Sequence, residues 1–390
     1  MVVAIAMAGC ATAPQSTATP TPIASPSPVA TNSAESKAAD FRIRLDLLLG
    51  EHVMIIAKQS SATARQAEYT SYLRLLTTNG ADLVELVRSA LGDSVAARFA
   101  QIWNAQNDNL VTYTIGVASH DKAKSDQAMA GIAGTFIPQF AQFLSDVSQI
   151  PTTVISPLLT RNMLEMRQML DAQVSRNYSR LYADVRSLYT HAIEVGDAVA
   201  PEITAEFPDK FPGNATGPAA NTRVSLNVTW QEHSYLTTMR TSAIIGGRSA
   251  EQVAAAGALV ENANAIDPVL TGLYGAPATI KFDHLWATLN GATVGYAVAS
   301  TTTAKQRALS DLTDASVTQL STWLEDSLSI AADSSRPELE AQLEALVTVI
   351  DDQRAKSWSK LAGDDRAAET ATEVVAELIA APAIAKLPAS

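Results

Sequence analysis

The sequence predicts an all-α protein: two tandem, homologous antiparallel helical bundles that follow a disordered tether. Three observations predict it. Apolar residues recur at helical spacing along most of the chain, strand signals are nearly absent, and the second half repeats landmarks of the first in order. Arg42, Leu45, Glu51 and His52 return as Arg223, Leu226, Glu232 and His233, an offset of 181. Asn79, Phe99, Trp103, Asn107 and Tyr113 return as Asn262, Phe282, Trp286, Asn290 and Tyr296, at 183. Asp171, Gln173, Ser179, Leu181 and Asp184 return as Asp351, Gln353, Ser359, Leu361 and Asp364, at 180. So small a drift is expected when insertions and deletions fall in loops. A folded unit has been duplicated.

With 390 residues, 47 % of them hydrophobic, the chain can bury two cores of ordinary size. A net charge of −12 and the lack of any basic run exclude a nucleic-acid surface, because a phosphate backbone needs clustered Lys and Arg.

Met1–Gly9 is apolar and ends in Ala6-Met7-Ala8-Gly9, directly before Cys10, the only cysteine. These residues resemble the lipobox of a bacterial lipoprotein signal peptide, which implies that Cys10 is acylated and opens the mature chain. No Lys or Arg precedes the apolar run, so residues 1–9 are expected to be such a signal truncated at its start. Residues 11–34 carry no charge and are mostly Ala, Thr, Ser and Pro. Such a stretch buries no apolar surface, and 10–39 is expected to be a lipidated, semi-rigid tether. No run reaches the ~20 apolar residues of a spanning helix. The protein is therefore expected on the outer face of the bacterial cytoplasmic membrane, held by lipid.

The first bundle is expected over 40–212. Leu45, Leu48, Leu49, His52, Val53 and Ile56 form one helical face. A second helix spans 66–91, bent at Asn79-Gly80, and Gly92-Asp93 stops it and starts the next. Helices follow over 94–119 and 123–147, the latter kinked at Pro138, then over about 157–176 and 178–204. The Pro- and Gly-rich stretch from Phe207 to Pro218 marks the boundary, with a linker at 213–221. The second bundle repeats the series over 222–390, and its stop at Tyr274-Gly275 answers Leu91-Gly92.

Trp230-Gln231-Glu232-His233 opens a helix, Asn262 with Tyr274-Gly275 closes the next, and Phe207-Pro208-Asp209-Lys210-Phe211 ends the first unit. These segments resemble a largely uncharacterised family of secreted bacterial helical-bundle proteins. The resemblance implies histidines on later helices. Here Gln106 or Asn107 and Leu289 or Asn290 stand in those places, and the helix around Met166–Gln173 has none.

The paired candidates for chemistry are Glu51-His52 and Glu232-His233. Asn79, Asn262, Asp171 and Asp351 are further polar positions kept in both halves, and together these eight form the candidate ligand or metal site. A buried His needs a partner, which Asp, Asn or Gln on a neighbouring helix supplies. The Glu-x-x-His of a di-iron bundle and the His-Glu-x-x-His of a zinc protease are both absent. His120, His191 and His284 have no counterparts. No Gly-x-Ser-x-Gly nucleophile turn occurs, and Gly246-Gly247-Arg248-Ser249 reads as an interhelical turn. Trp103, Trp286, Phe99, Phe282, Tyr113 and Tyr296 fall at helical spacing and read as core.

The expectation is a lipid-anchored, non-enzymatic binding or scaffolding module of the cell envelope. It has no cofactor, and its partners are the membrane and an envelope protein or small ligand. The alternative is a small-ligand or metal-binding bundle built on the Glu-His pairs.

Overall fold

The computed structural model describes residues 36–385. Cys10, the signal expected over 1–9 and almost all of the tether expected over 10–39 lie outside the described residues. Within them every element is helical.

The first half comprises α1 (Lys37–Ser61), α2 (Gln66–Leu91), α3 (Asp93–Ala118), α4 (Lys122–Gly131), α5 (Ile137–Ser148), α6 (Thr152–Val174) and α7 (Tyr178–Glu206). The second comprises α8 (Pro218–Ile245), α9 (Ser249–Tyr274), α10 (Ala276–Val298), α11 (Thr302–Thr313), α12 (Leu320–Leu328), α13 (Ala332–Ala355) and α14 (Trp358–Ile384). Ser36 caps α1, its Oγ accepting from the Ala39 N–H at 3.1 Å. Pro218 opens α8 from within its first turn, where the missing N–H costs nothing.

The turns recur as the elements do. Gly92 and Gly275 have φ of +88° and +82° between their helices, a region open to glycine. Gln149 and Ser329 end α5 and α12 in the left-handed region, and Arg176 and Lys356 do so after α6 and α13. The irregularity expected at Pro138 is a π-helical turn over Ile132–Phe136, immediately upstream. A second such turn, over Asp314–Gln319, joins α11 to α12 without a proline nearby. A wide turn of this kind absorbs one extra residue within a helix.

Two expectations change in detail. The helix placed at 157–176 begins at Thr152, so Pro157 lies inside α6, and Pro337 occupies the same place inside α13. Near the start of a helix a proline removes one hydrogen bond while the rest of the helix continues. At Asn79-Gly80, where a bend is expected, α2 continues as one uninterrupted helix. A Cβ on Gly80 would lie 3.3 Å from Trp103 Cδ1, so this glycine gives the indole room.

Burial goes further than one face per helix. Every residue of α1 from Leu45 to Ser60 is buried, and so is every residue of α8 from Trp230 to Met239. The cause is topology. Helix α1 packs against α2, α6, α7 and α8, while α8 packs against α1, α9, α13 and α14. The halves also exchange partners: α2 packs against α14, and α9 against α7. Tyr235 and Leu236 of α8 and Leu361 of α14 share one apolar cluster with Leu48, Ile55 and Leu76.

Candidate functional site

Helices α1 and α8 position the two Glu-His pairs, and the surroundings of the pairs match closely. Asn79 Nδ2 donates to the Leu48 carbonyl at 2.9 Å and to Glu51 Oε2 at 2.8 Å. Asn262 Nδ2 donates to the Thr229 carbonyl at 2.9 Å and to Glu232 Oε2 at 2.8 Å. Each asparagine thus ties the second helix of its half to the first by one main-chain and one carboxylate bond. Two donors in a buried amide justify its cost of burial.

The carboxylates are completed across the molecule. Arg366 of α14 reaches Glu51 at 2.7 Å, and Arg186 of α7 reaches Glu232 at 2.9 Å. Tyr235 of α8 also donates to Glu51, at 3.1 Å. Each half therefore supplies the guanidinium that neutralises the other half's glutamate. Burial pushes the Glu51 carboxyl up, against the opposing pull of Arg366. Arg186 and Arg366 stand 180 residues apart, the offset that also relates Asp171 to Asp351. The recurrence of these arginines is present in the sequence, whereas the glutamate each one meets is set by the tertiary fold.

The histidines are packed and singly bonded. His52 Nε2 lies 2.8 Å from Asn107 Oδ1, and the ring centroid lies 4.8 Å from that of Trp103. His233 Nε2 lies 3.3 Å from Thr237 Oγ1, and its ring lies 4.1 Å from Trp286. Burial lowers His52 to about 4 and His233 to about 3, so both rings are neutral near pH 7. Trp103, Trp286, Phe99 and Phe282 are buried beside them as core residues, Phe99 stacked on Trp103 and Phe282 tilted against Trp286.

Asp171 and Asp351 take part in neither group. Tyr113 donates to Asp171 at 2.6 Å and Tyr296 to Asp351 at 3.0 Å, at the half-exposed margin. The structure thus joins Glu51 with Asn79 and Glu232 with Asn262. His52 bonds Asn107, outside the eight, His233 bonds Thr237 with Asn262 of the eight also acting on its ring, and the aspartates form separate tyrosine contacts. His191 bonds Glu165 at 2.6 Å between α6 and α7. Among the described residues, no three His, Cys, Asp or Glu side chains are grouped to hold a metal ion.

A second polar centre was not foreseen. Lys58 Nζ, buried on α1, donates to Asp365 Oδ2 at 2.5 Å and to Thr238 Oγ1 at 2.6 Å, and Tyr72 donates to the same Asp365 oxygen. Burial pulls the ammonium below its ordinary value, while Asp365 holds it up. The adjoining cavity, lined by Lys58, Tyr72, Glu68, Glu251 and Arg248, is about 20 Å³. That is room for a water molecule and for nothing the size of a metabolite. Lys58 and Asp365 lack like counterparts in the other half, where Met239 and Val185 stand, so no repeated signal marked them.

A third centre is a carboxyl pair on α14. Glu369 accepts from Gln231 Nε2 at 2.7 Å. Burial first, and then the neighbouring Glu373, push its carboxyl well up, and burial raises Glu373 as well. The Gln231 side chain enters beside Gly50, where a Cβ would lie 2.8 Å from it.

No protein-family model, curated protein or solved structure matches the chain.

Proposed function

We propose that this chain is a lipid-anchored, non-enzymatic binding or scaffolding module of the bacterial cell envelope, built by duplication of one helical unit. The observation that carries the reading is the use made of the polar residues common to both halves. Glu51, Asn79, Glu232 and Asn262 bond one another across helices, with arginines exchanged between the halves. His52 and His233 are enclosed by indoles and held neutral. Residues employed this way fix a shape. The alternative, a ligand or metal centre on the Glu-His pairs, would need His52 to converge with Asn79 and Asp171, whereas the three face different partners.

Attachment rests on the apolar Met1–Gly9 and Cys10, followed by an uncharged Pro-, Thr- and Ala-rich tether. No helix among the described residues is long and apolar enough to cross a membrane. Acyl chains on Cys10 would supply adhesion at about 0.8 kcal/mol per buried methylene. The test is metabolic labelling with palmitate in a bacterial host. Label should appear on the wild-type chain and disappear in Cys10→Ala, with that variant released from the membrane fraction. Persistent labelling of the variant refutes the anchor.

A further inference from the structure

We infer that the outer face of α9 and α10 is a self-association surface, on which a second copy of this chain docks. Four of the most exposed large apolar residues lie on these two helices: Val253 at 72 %, Val260 at 59 %, Ile280 at 58 % and Val298 at 58 %. Their spacing follows one line along each helix, with Gly257 between the valines of α9 and Ala287 and Gly291 between Ile280 and Val298 on α10. On α9 the line continues to Thr271, whose Oγ1 is 3.0 Å from that of Thr279. Helices α9 and α10 pack against each other.

The first half shows that the fold does not require this. At the matching places α2 and α3 carry Thr70, Arg74, Thr77, Asn104 and Asp108, while Ala97 and the 41 % exposed Ile115 correspond to Ile280 and Val298. In the second half the first five positions are Val253, Gly257, Val260, Ala287 and Gly291. Five of the seven stripe positions are thus polar or charged in the first half and small or apolar in the second.

The chemistry selects the occupant. The chain has a net charge of −12, so two copies repel over most of their surface. No charged residue occurs from Gln252 to Val260 or from Leu285 to Ala304, and the exposed charges nearest the stripes are Glu261 beside Val260 and Lys281 with Asp283 beside Ile280. Valines alternating with glycine give ridges and hollows of helix-packing size, which a two-fold axis makes self-complementary. A membrane surface is the poorer occupant, because interfacial helices present Trp, Phe or Leu beside a row of Lys and Arg. Two helices about 30 Å long and ~10 Å apart offer roughly 600 Å² per copy, or ~1,200 Å² for the pair. That is the lower end of a stable dimer interface and points to micromolar affinity.

Sedimentation velocity of the full chain carrying Cys10→Ala, so that no lipid contributes, tests this from about 1 to about 100 μM. The expected result is a reversible dimer of the 41.2 kDa chain. Val260→Asp and Val298→Asp should each weaken it about tenfold or more, with unchanged circular dichroism and melting because both sites are exposed. Thr77→Asp, the counterpart of Val260 in the first half, should leave the dimer intact. A monomer throughout the range overturns the inference, as does a dimer indifferent to both aspartates. A monomer that floats with phospholipid vesicles in a Val260-dependent way overturns it in favour of the membrane.

Discussion

His52 and His233 show what one residue contributes here. Each imidazole is buried against an indole, and burial holds it well below its ordinary pKa, at about 4 and about 3. The unfolded chain takes up the proton near pH 6.5 and the folded chain does not. Stability from this source is therefore complete above pH 6.5 and falls as pH drops toward the folded value. Raised carboxyls such as Asp46, Glu51 and Glu369 act in the opposite sense, losing their contribution as pH rises through their folded values. The histidine effect is thus measured as a difference between variants. His52→Gln, which can still donate to Asn107, should remove about 2 kcal/mol of the stability lost between pH 6.5 and 4.5. Urea unfolding at both pH values reads this directly, and an unchanged difference between wild type and variant would sink the assignment. That these histidines were internal could be read from the sequence, since His52 falls on an apolar stripe. Their partners could not: His52 takes Asn107, whereas His233 takes its own helix's Thr237 although Asn290 recurs.

At the scale of elements, helix placement followed from apolar period, capping and glycine stops, and α2 lies where it was expected. The exceptions have local causes. Prolines tempt a reader to start a helix at Pro157, yet α6 tolerates it one turn in, and Pro337 repeats the tolerance in α13. What the period did not convey is that the polar sides of α1 and α8 are buried too. Those sides face helices from the other half, where Arg366 meets Glu51 and Arg186 meets Glu232. Removing one member of such a pair leaves a buried charge, which costs more than the pair contributes. Arg366→Met should therefore lose about 3 kcal/mol, and adding Glu51→Gln should recover more than half of it. A double-mutant cycle in denaturant gives the coupling. Strict additivity of the two changes would show that the exchanged ion pair does not bind α14 to α1.

For the whole molecule, the shared cluster of Leu48, Ile55 and Leu76 with Tyr235, Leu236 and Leu361 predicts one cooperative unfolding event. Scanning calorimetry should give a single transition with equal calorimetric and van't Hoff enthalpies. Two separated transitions would mean that each half holds its own core. Sequence alone determined the helical class, the order of elements, the turns and the repeated residues, because apolar period, caps and glycine stops act over a few residues. Only the tertiary structure decided that the halves interleave, that the repeated glutamates are neutralised crosswise, and that Lys58 and Asp365 meet. Those outcomes depend on which helix lies beside which, and contacts between residues 46 to 315 positions apart leave no local pattern to read.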